Sequence, residues 1–273
     1  MIVYIYSIYS SHSNFEVIEK IKEALKSKYK DITEIAYDDM DSIKKEEVTH
    51  VFFSGGDGTF NKIVNSFKDY LDKIIFGYIP TGTANDIGRN YGIKKINDAL
   101  DIIENGVVKE ENLLELNDEL FIYAMSVGEM SQVSISSNKS LKKKFGKLVY
   151  KINGIRYLFK KRKVITVNGK DIKLKVLIVL RSLYLGGVKI GKSIDDKIHM
   201  YYIRNIFDVI SLFIFNRFYK VKGEVVDEVE IKSDSLWCVD GEKIDIEEGK
   251  IRISNKKIKM LSKNTWQRDK KRV

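Results

Sequence analysis

Two apolar runs, each followed by a glycine-containing turn and then by a helix-like pattern, stand in immediate succession. The first, Val48 to Phe53, leads into Gly55-Gly56-Asp57-Gly58-Thr59, and the second, Ile74 to Ile79, leads through Pro80 into Thr81-Gly82-Thr83-Ala84-Asn85-Asp86. Strand, turn and helix in series are typical of a parallel sheet flanked by helices. The sequence therefore predicts an α/β domain, and the paired turns suggest one shared ligand.

The pattern changes from about Leu113, where strand-like segments become short and closely spaced. The predicted strands are Leu120 to Val127, Lys163 to Val167, Lys173 to Leu180, Ile198 to Ile203 and Val225 to Lys232. One helix is predicted among them, from Lys147 to Phe159, by the spacing of its apolar residues. We therefore predict an α/β domain in residues 1–112 and a β-rich domain in residues 113–248.

The first glycine turn has the chemistry of a phosphate site. Where a strand gives way to a helix, free backbone N–H groups favour an anion, and glycines permit its close approach. The carboxylate of Asp57 beside such an anion makes sense chiefly with Mg²⁺ between them. For this loop alone an ordinary glycine turn is the alternative, but the hydroxyls, amide and carboxylate of the second loop favour a phosphate-bearing ligand.

Composition narrows the partners. The net charge is +10 over 273 residues, which favours phosphate-bearing ligands or an anionic membrane face, unless lysine is simply abundant in the proteins of this organism. The basic runs lack interleaved aromatic residues, so no nucleic-acid partner is expected. The single cysteine, the short apolar stretch from Ile206 to Phe215 and a strand-like start at Met1 to Tyr6 favour a cytoplasmic protein without a membrane span.

The two loops together resemble a known family, the catalytic domain shared by diacylglycerol kinases, sphingosine and ceramide kinases and bacterial lipid kinases. The matching motifs are Gly-Gly-Asp-Gly-Thr-x-Asn (Gly55 to Asn61) and Pro-x-Gly-Thr-x-Asn-Asp (Pro80 to Asp86), in that order. The resemblance implies a Rossmann-like α/β nucleotide domain and a β-sandwich domain, with ATP and Mg²⁺ in the cleft between them. It also implies that residues 249–273 return to the first domain.

Carried over by position, the resemblance implies two sets of nucleotide-binding residues. These are Gly55, Gly56, Asp57, Gly58, Thr59 and Asn61 around the phosphates, and Gly82, Thr83, Asn85 and Asp86 in the rest of the pocket. Asp86 has an alternative role as the cap of the following helix. The implied metal ligands are Asp57 and Asp196, the latter from a segment that resembles an Asp-Asp-Gly motif of bacterial relatives.

Asp240-Gly241-Glu242 resembles a late Asp-Gly-Glu motif of the same family. In isolation Asp-Gly is a common hairpin turn. Transfer of a phosphoryl group to a lipid hydroxyl needs a group that accepts the hydroxyl proton. The resemblance therefore implies that Asp240 is the general base, and that Glu242 orients it or helps to hold Mg²⁺.

Departures from the family lie mainly in the second domain. Gly186 and Gly187 remain, but the asparagine and the alanine-proline that usually accompany them are missing. Phe145 to Tyr150 resembles the family's entry into a helix that walls the lipid site, with an ordinary core helix as the alternative. The acceptor is accordingly left open, with diacylglycerol or a related lipid alcohol as the first choice.

The sequence thus predicts an ATP-dependent lipid kinase that contacts anionic membranes peripherally through basic runs such as Lys142 to Lys147. The oligomeric state is left open, with a homodimer as one option. An NAD kinase, which would share the first loop, and a noncatalytic nucleotide- or lipid-binding regulator are the alternatives. The second loop argues against an NAD kinase, and the retention of Asp57, Asp240 and Glu242 argues against a noncatalytic protein.

Overall fold

The computed structural model describes residues 1–7, 15–129, 161–182, 184–185, 188–189, 197–213 and 221–264. The chain divides into two compact units. The N-terminal unit consists of Met1–Asn112 and Lys256–Val273, and the β-rich unit consists of Leu113–Asn255.

The N-terminal unit alternates strands and helices along the chain. Its elements are β1 (Ile2–Tyr6), α1 (Phe15–Lys28), β2 (Ile32–Ala36), β3 (His50–Gly55), α2 (Asp57–Ser66), β4 (Ile75–Pro80), α3 (Asp86–Asn90) and α4 (Ile96–Asn105). Two short 3₁₀ turns, Tyr37–Ser42 and Lys45–Glu47, lie between β2 and β3. In α1 the buried residues Ile18, Ile21 and Leu25 share one face, as their helical spacing predicts.

The four strands of this unit are parallel and lie in the order β2-β1-β3-β4. Ile2 of β1 lies opposite both Ile32 of β2 and His50 of β3. The chain therefore crosses from one side of β1 to the other between β2 and β3. Open α/β sheets bind their ligands beyond the carboxyl ends of the strands at such a crossing point, and the first glycine turn follows the carboxyl end of β3.

An aromatic cluster joins the two strand–turn–helix segments. The rings of Phe53 in β3 and Phe60 in α2 stack with centroids 4.4 Å apart. The ring of Tyr78 in β4 meets both edge-on, at 4.8 Å from Phe53 and 5.7 Å from Phe60. All three side chains are buried, so this packing fixes the start of α2 against β3 and β4.

The β-rich unit is built from short strands with one described helix. Its elements are β6 (Glu119–Phe121), β7 (Ala124–Val127), β8 (Lys163–Val167), β9 (Lys170–Leu174), β10 (Val176–Leu180), β11 (Tyr184–Leu185), β12 (Val188–Lys189), β13 (Ile198–Ile203), α5 (Ile206–Phe213), β14 (Gly223–Val226), β15 (Glu228–Lys232), β16 (Trp237–Val239) and β17 (Glu242–Ile244). Two longer strands, β5 (Val107–Leu116) and β18 (Glu248–Ser262), continue from one unit into the other.

Antiparallel pairing dominates the β-rich unit. One sheet has the order β14-β13-β10-β7-β16-β17, and the first part of β18 pairs with β15, followed by β8 and β9. The buried side chains of Phe121, Leu177, Ile231, Trp237 and Ile251 contribute to its hydrophobic core. The last part of β18 lies in the N-terminal unit, where it pairs in parallel with β4.

Three predicted strands of this region are each divided in the structure. The predicted strand over 120–127 is β6 and β7, separated by two residues whose N–H groups donate to the carboxylate of the distant Asp240. The predicted strand over 173–180 is β9 and β10, and that over 225–232 is β14 and β15. β14 and β15 belong to different sheets. The strand-like pattern of the sequence therefore does not show where the chain changes from one sheet to the other.

The predicted fold class is confirmed: a parallel α/β sheet forms the N-terminal unit, and antiparallel strands form the β-rich unit. The helix predicted from Lys147 to Phe159 and the motif from Phe145 to Tyr150 lie outside the described residues. In the part of the chain that the structure describes, no helix is both long enough and apolar enough to span a membrane.

Candidate functional site

The first glycine turn ends in a helix N-terminus that carries no side-chain cap. Gly56 is the N-cap residue, with extended backbone (φ −105°, ψ −176°), and α2 begins at Asp57. In the described part of the chain, no side chain caps α2. The first N–H groups of a helix have no partner within the helix, so the start of α2 is suited to an anion.

Asp57 directs its carboxylate to the next helix. Oδ2 accepts a hydrogen bond from the N–H of Asp86 at 3.0 Å, and Oδ1 accepts one from Ile87 at 2.9 Å. Burial raises the pKa of the Asp57 carboxyl above its ordinary value, while these two hydrogen bonds oppose the shift. The N-terminus of α3 is therefore satisfied by a carboxylate of the chain itself, which leaves the start of α2 as the anion site.

Asn85 holds the second loop in shape. It is buried, has left-handed backbone (φ 53°) and precedes α3 as the N-cap residue. Its Nδ2 donates to the carbonyl of Gly82 at 2.8 Å, and its Oδ1 accepts from the hydroxyl of Tyr78 at 3.1 Å. Both ends of the Asn85 amide are thus engaged within the protein, which makes Asn85 a residue that shapes the loop.

Backbone contacts join the two glycine loops. The N–H groups of Thr81 and Gly82 donate to the carbonyl of Gly55 at 3.2 and 3.1 Å. A Cβ atom on Gly82 would lie 2.5 Å from Cα of Gly56 and 2.8 Å from Oδ1 of Asn85. Only a glycine at position 82 allows this approach, so the two predicted loops form one structure.

Tyr78 is a residue of this site that the sequence motifs did not reveal. Its hydroxyl lies 3.3 Å from Oδ1 of Asp57 and 3.1 Å from Oδ1 of Asn85. Burial raises the pKa of Tyr78 well above its ordinary value, and the charge of Asp57 adds to the shift. The available signal was a tyrosine inside an apolar strand, because a buried tyrosine hydroxyl usually has a hydrogen-bond partner.

The remaining predicted residues of the two loops differ in exposure. Thr59 and Thr83 are half-buried, and so is Asn61, whose Oδ1 accepts from Asn65 at 3.2 Å. Asp86 is fully buried and is the first residue of α3. The alternative that Asp86 caps α3 is wrong, because Asn85 is the N-cap residue and the capping carboxylate comes from Asp57.

Asp240 occupies a tight turn in the β-rich unit. Asp240 and Gly241, with φ of 45° and 92°, connect β16 and β17 as a two-residue hairpin loop of the kind that Asp-Gly favours. The Asp240 side chain is 1% exposed. Its carboxylate accepts hydrogen bonds from three successive backbone N–H groups, at 2.7 to 3.0 Å, namely those of Ile122, Tyr123 and Ala124.

The hairpin turn is the alternative that Asp-Gly alone indicated, and the three hydrogen bonds to Ile122, Tyr123 and Ala124 add a structural role that the motif did not indicate. Three N–H donors favour the ionised carboxylate and use its oxygens, so the described conformation does not present Asp240 to a substrate hydroxyl. Glu242, in contrast, is exposed as the first residue of β17. Asp196 lies outside the described residues, within which no three His, Cys, Asp or Glu side chains are grouped to hold a metal.

The crossing point of the sheet, the uncapped start of α2 and the interlocked loops define an α/β protein whose first glycine loop is a candidate anion site. Residues 10–116 match the family described as the diacylglycerol kinase catalytic domain. This part of the chain therefore resembles that family, as the paired motifs predicted.

Two curated relatives match about two fifths of the chain. A diacylglycerol kinase of Bacillus subtilis is 32% identical over 110 residues, which are 40% of this chain and 36% of the relative. A diacylglycerol kinase of Staphylococcus aureus is 36% identical over 106 residues, 38% of this chain and 34% of the relative. The match thus spans about a third of the length of these relatives.

Solved structures resemble the chain over nearly its whole length. A diacylglycerol kinase from Bacillus anthracis superposes with a TM-score of 0.78 at 17% identity, covering 97% of this chain and 98% of the other. An NAD kinase from Archaeoglobus fulgidus, solved in complex with ATP, gives a TM-score of 0.57 at 14% identity, with 98% and 96% covered. At these identities the likeness shows the fold alone.

Proposed function

We propose that this chain is an ATP-dependent lipid kinase, which transfers the γ-phosphate of ATP to the hydroxyl of a lipid alcohol. The observation that carries the proposal is the interlocking of the two glycine loops at the ends of adjacent parallel strands, inside the stretch that matches the family. Diacylglycerol is the first candidate acceptor, since the matching curated relatives are named diacylglycerol kinases.

The ATP phosphates would lie at the uncapped start of α2. The absence of side chains at Gly55, Gly56 and Gly58 would let phosphate oxygens approach the backbone N–H groups closely, and the helix dipole favours negative charge there. Thr59 and Thr83, both half-buried, would add hydroxyl donors. Asp57 would act indirectly, without contacting the ligand, because its carboxylate holds α3 and the second loop in place.

Mg²⁺ would arrive with ATP, because Mg²⁺ in kinases is held by one or two carboxylates together with phosphate oxygens and water. The described residues do not form a ready-made cage for the ion. Both oxygens of Asp57, the predicted ligand, accept backbone hydrogen bonds. The geometry therefore does not support Asp57 as a direct ligand of Mg²⁺.

Proton acceptance from the lipid hydroxyl is the step for which Asp240 and Glu242 remain predictions. A general base contributes about 100-fold or more to turnover. Asp240→Asn should lower the melting temperature in either case, because an amide cannot accept three N–H bonds as a carboxylate does. If Asp240 is also the base, kcat measured well below that melting temperature will fall by about 100-fold or more. If its role is the turn alone, kcat of the folded variant will stay near that of the wild type.

Glu242→Gln is the matched variant for this comparison, since Glu242 belongs to the same hairpin but is exposed. Its melting temperature should stay near that of the wild type. A large loss of kcat in Glu242→Gln would transfer the proton-accepting role to this exposed carboxylate.

Peripheral membrane contact is the second part of the proposal. A kinase for a bilayer lipid must reach the membrane surface, and the net charge of +10 favours anionic lipids. Flotation with vesicles should then show binding that rises with the fraction of anionic lipid and falls with salt. Equal binding to neutral and anionic vesicles would contradict it.

The activity test is transfer of labelled phosphate from ATP, with Mg²⁺, to diacylglycerol in mixed micelles, to total lipid extract and, in a third arm, to NAD. Labelled phosphatidic acid would support the proposal. Label on NAD would favour the NAD kinase alternative, for which the shared fold is the specific observation. Nucleotide binding without transfer to any acceptor would favour a noncatalytic regulator.

Gly58→Glu is a suitable inactive control for this assay. Gly58 lies in the first turn of α2, where a carboxylate is compatible with the helix dipole. The new carboxylate would compete with the ATP phosphates for the same N–H groups, so the variant should fold but lose activity. Residual label in this control would reveal a contaminating kinase.

A further inference from the structure

Tyr78 carries a hydroxyl in the middle of a strand that is otherwise apolar. Its ring is 1% exposed and fits between Phe53, Phe60 and the glycine at position 88, where a Cβ atom would lie 2.8 Å from the ring. The ring alone satisfies the packing, and a phenylalanine would fill the same space. The hydroxyl therefore calls for an explanation of its own.

The hydroxyl stands between two acceptor oxygens. Oδ1 of Asp57 belongs to the first glycine loop, and Oδ1 of Asn85 belongs to the second. The amide nitrogen of Asn85 donates to the carbonyl of Gly82. A carboxylate oxygen and an amide oxygen are both acceptors, so neither can donate to the other. The O–H of Tyr78 is the donor that makes their approach favourable, and among the described residues no other donor is bonded to Oδ1 of Asn85.

The orientation of Asn85 in turn shapes the second loop. The left-handed backbone at Asn85 is uncommon for a residue with a side chain. It is stabilised by the hydrogen bond that the Asn85 side-chain amide donates to the carbonyl of Gly82. Thr83 lies inside the segment that this bond closes. A change in the orientation of the Asn85 amide would therefore move the hydroxyl of Thr83 relative to the start of α2.

We propose that Tyr78 is a positioning residue of the nucleotide site, whose hydroxyl links Asp57 to Asn85 and so sets the second glycine loop for binding ATP phosphates. The inference rests on the proposed function for the identity of the ligand. It does not rest on it for the loop geometry, which can be measured without any ligand.

The test replaces Tyr78 by phenylalanine, with Tyr202→Phe as the matched control. Tyr202 is also buried and donates to a carboxylate, Glu224 at 3.0 Å, but it belongs to β13 of the β-rich unit. Loss of one hydrogen bond predicts binding of a nonhydrolysable ATP analogue about five- to tenfold weaker in Tyr78→Phe. Tyr202→Phe should stay within about twofold of the wild type, and the KM for lipid should be unchanged in both.

Hydrogen exchange of residues 81–87 in the absence of nucleotide gives the second readout. We expect faster exchange in Tyr78→Phe and unchanged exchange in Tyr202→Phe. A double-mutant cycle completes the test: in an Asn85→Gly background, which tolerates left-handed backbone, Tyr78→Phe should weaken binding by less than about twofold more.

The outcomes separate the two claims. A wild-type protein that binds no ATP analogue overturns the proposed function, whereas the exchange of residues 81–87 still decides the role of Tyr78. Normal ATP binding in Tyr78→Phe, or equal losses in Tyr78→Phe and Tyr202→Phe, overturns the positioning role alone. Full additivity in the cycle would show that Tyr78 does not act through Asn85.

Discussion

Replacement of Gly82 by alanine tests whether the two glycine loops are one interlocked structure. The added Cβ would lie 2.5 Å from Cα of Gly56 and 2.8 Å from Oδ1 of Asn85. Real Cβ atoms essentially never come this close to a neighbour, and the first contact is backbone, which cannot rotate away. The loops must therefore separate, and the hydrogen bond from Asn85 to the Gly82 carbonyl must lengthen.

The expected cost follows from these contacts. Overpacking of a tight site costs about 1–3 kcal/mol, and we take about 2 kcal/mol for Gly82→Ala because the opposing contact is backbone. Weakening of the buried hydrogen bond adds about 1 kcal/mol. We expect a loss of about 3 kcal/mol in the free energy of unfolding of the N-terminal unit. For a unit of this size that corresponds to a melting temperature lower by about 10 °C.

The assay is differential scanning calorimetry of the protein without ligand, with Gly56→Ala as the matched control. Gly56 lies on the other side of the same contact, but a Cβ atom there would be 3.4 Å from Cα of Gly82, an ordinary van der Waals distance. Its extended backbone is accessible to alanine. Gly56→Ala should therefore change stability by less than about 1 kcal/mol.

A melting temperature of Gly82→Ala within about 2 °C of that of Gly56→Ala would refute the reasoning. It would mean that the loops separate at little cost, so that Gly82 is present for the ligand and not for the contact with Gly56.

Three further variants test other parts of the structure. Asp240→Ala leaves three backbone N–H groups without their acceptor and should lower the free energy of unfolding by about 3 kcal/mol or more, as measured by urea unfolding. Lys263→Met should lower it by about 1 kcal/mol. Burial raises the pKa of Asp98, but the hydrogen bonds from Lys263 and the backbone outweigh it and lower the pKa overall. The stabilisation by the Lys263–Asp98 pair is therefore present above about pH 4 and is lost as the pH falls through the lowered pKa. The melting temperature of Lys263→Met should accordingly decrease less between about pH 7 and about pH 2.5 than that of the wild type. Burial raises the pKa of Tyr4 to about 12, so its contribution is present below about pH 10 and lost as the pH rises toward 12; melts of Tyr4→Phe should show a smaller alkaline loss than the wild type.

The sequence predicted the features that repeat at short range. Apolar runs and glycine turns predicted β3, β4 and the fold class, and the paired motifs predicted the family. The helical spacing of Phe15, Ile18, Ile21, Ala24 and Leu25 predicted one apolar face of α1. Ile18, Ile21 and Leu25 of this set are buried, whereas Phe15 at the start of the helix is 78% exposed. These predictions succeed because strand and helix periodicities are visible within a few residues.

Contacts between distant residues were not predictable in the same way. The cap of α3 comes from Asp57, 29 residues away from the N–H of Asp86 that it accepts. The break between β6 and β7 is stabilised by Asp240, 118 residues from Ile122. In both cases a carboxylate satisfies backbone donors that local sequence leaves open, and only the tertiary fold brings the two together.

The motif residues of the two loops therefore divide into two groups by what their polar atoms contact. The side chains of Asp57 and Asn85 form hydrogen bonds with backbone groups of the protein, and Gly82 is required by the packing of one loop on the other. The start of α2 is what remains for the phosphates of a ligand. Loss of ATP binding in an Asp57 variant would consequently not identify a metal ligand, because collapse of the α3 cap predicts the same loss. A separate measurement of loop geometry without nucleotide is needed to distinguish the two, and the hydrogen exchange of residues 81–87 provides it.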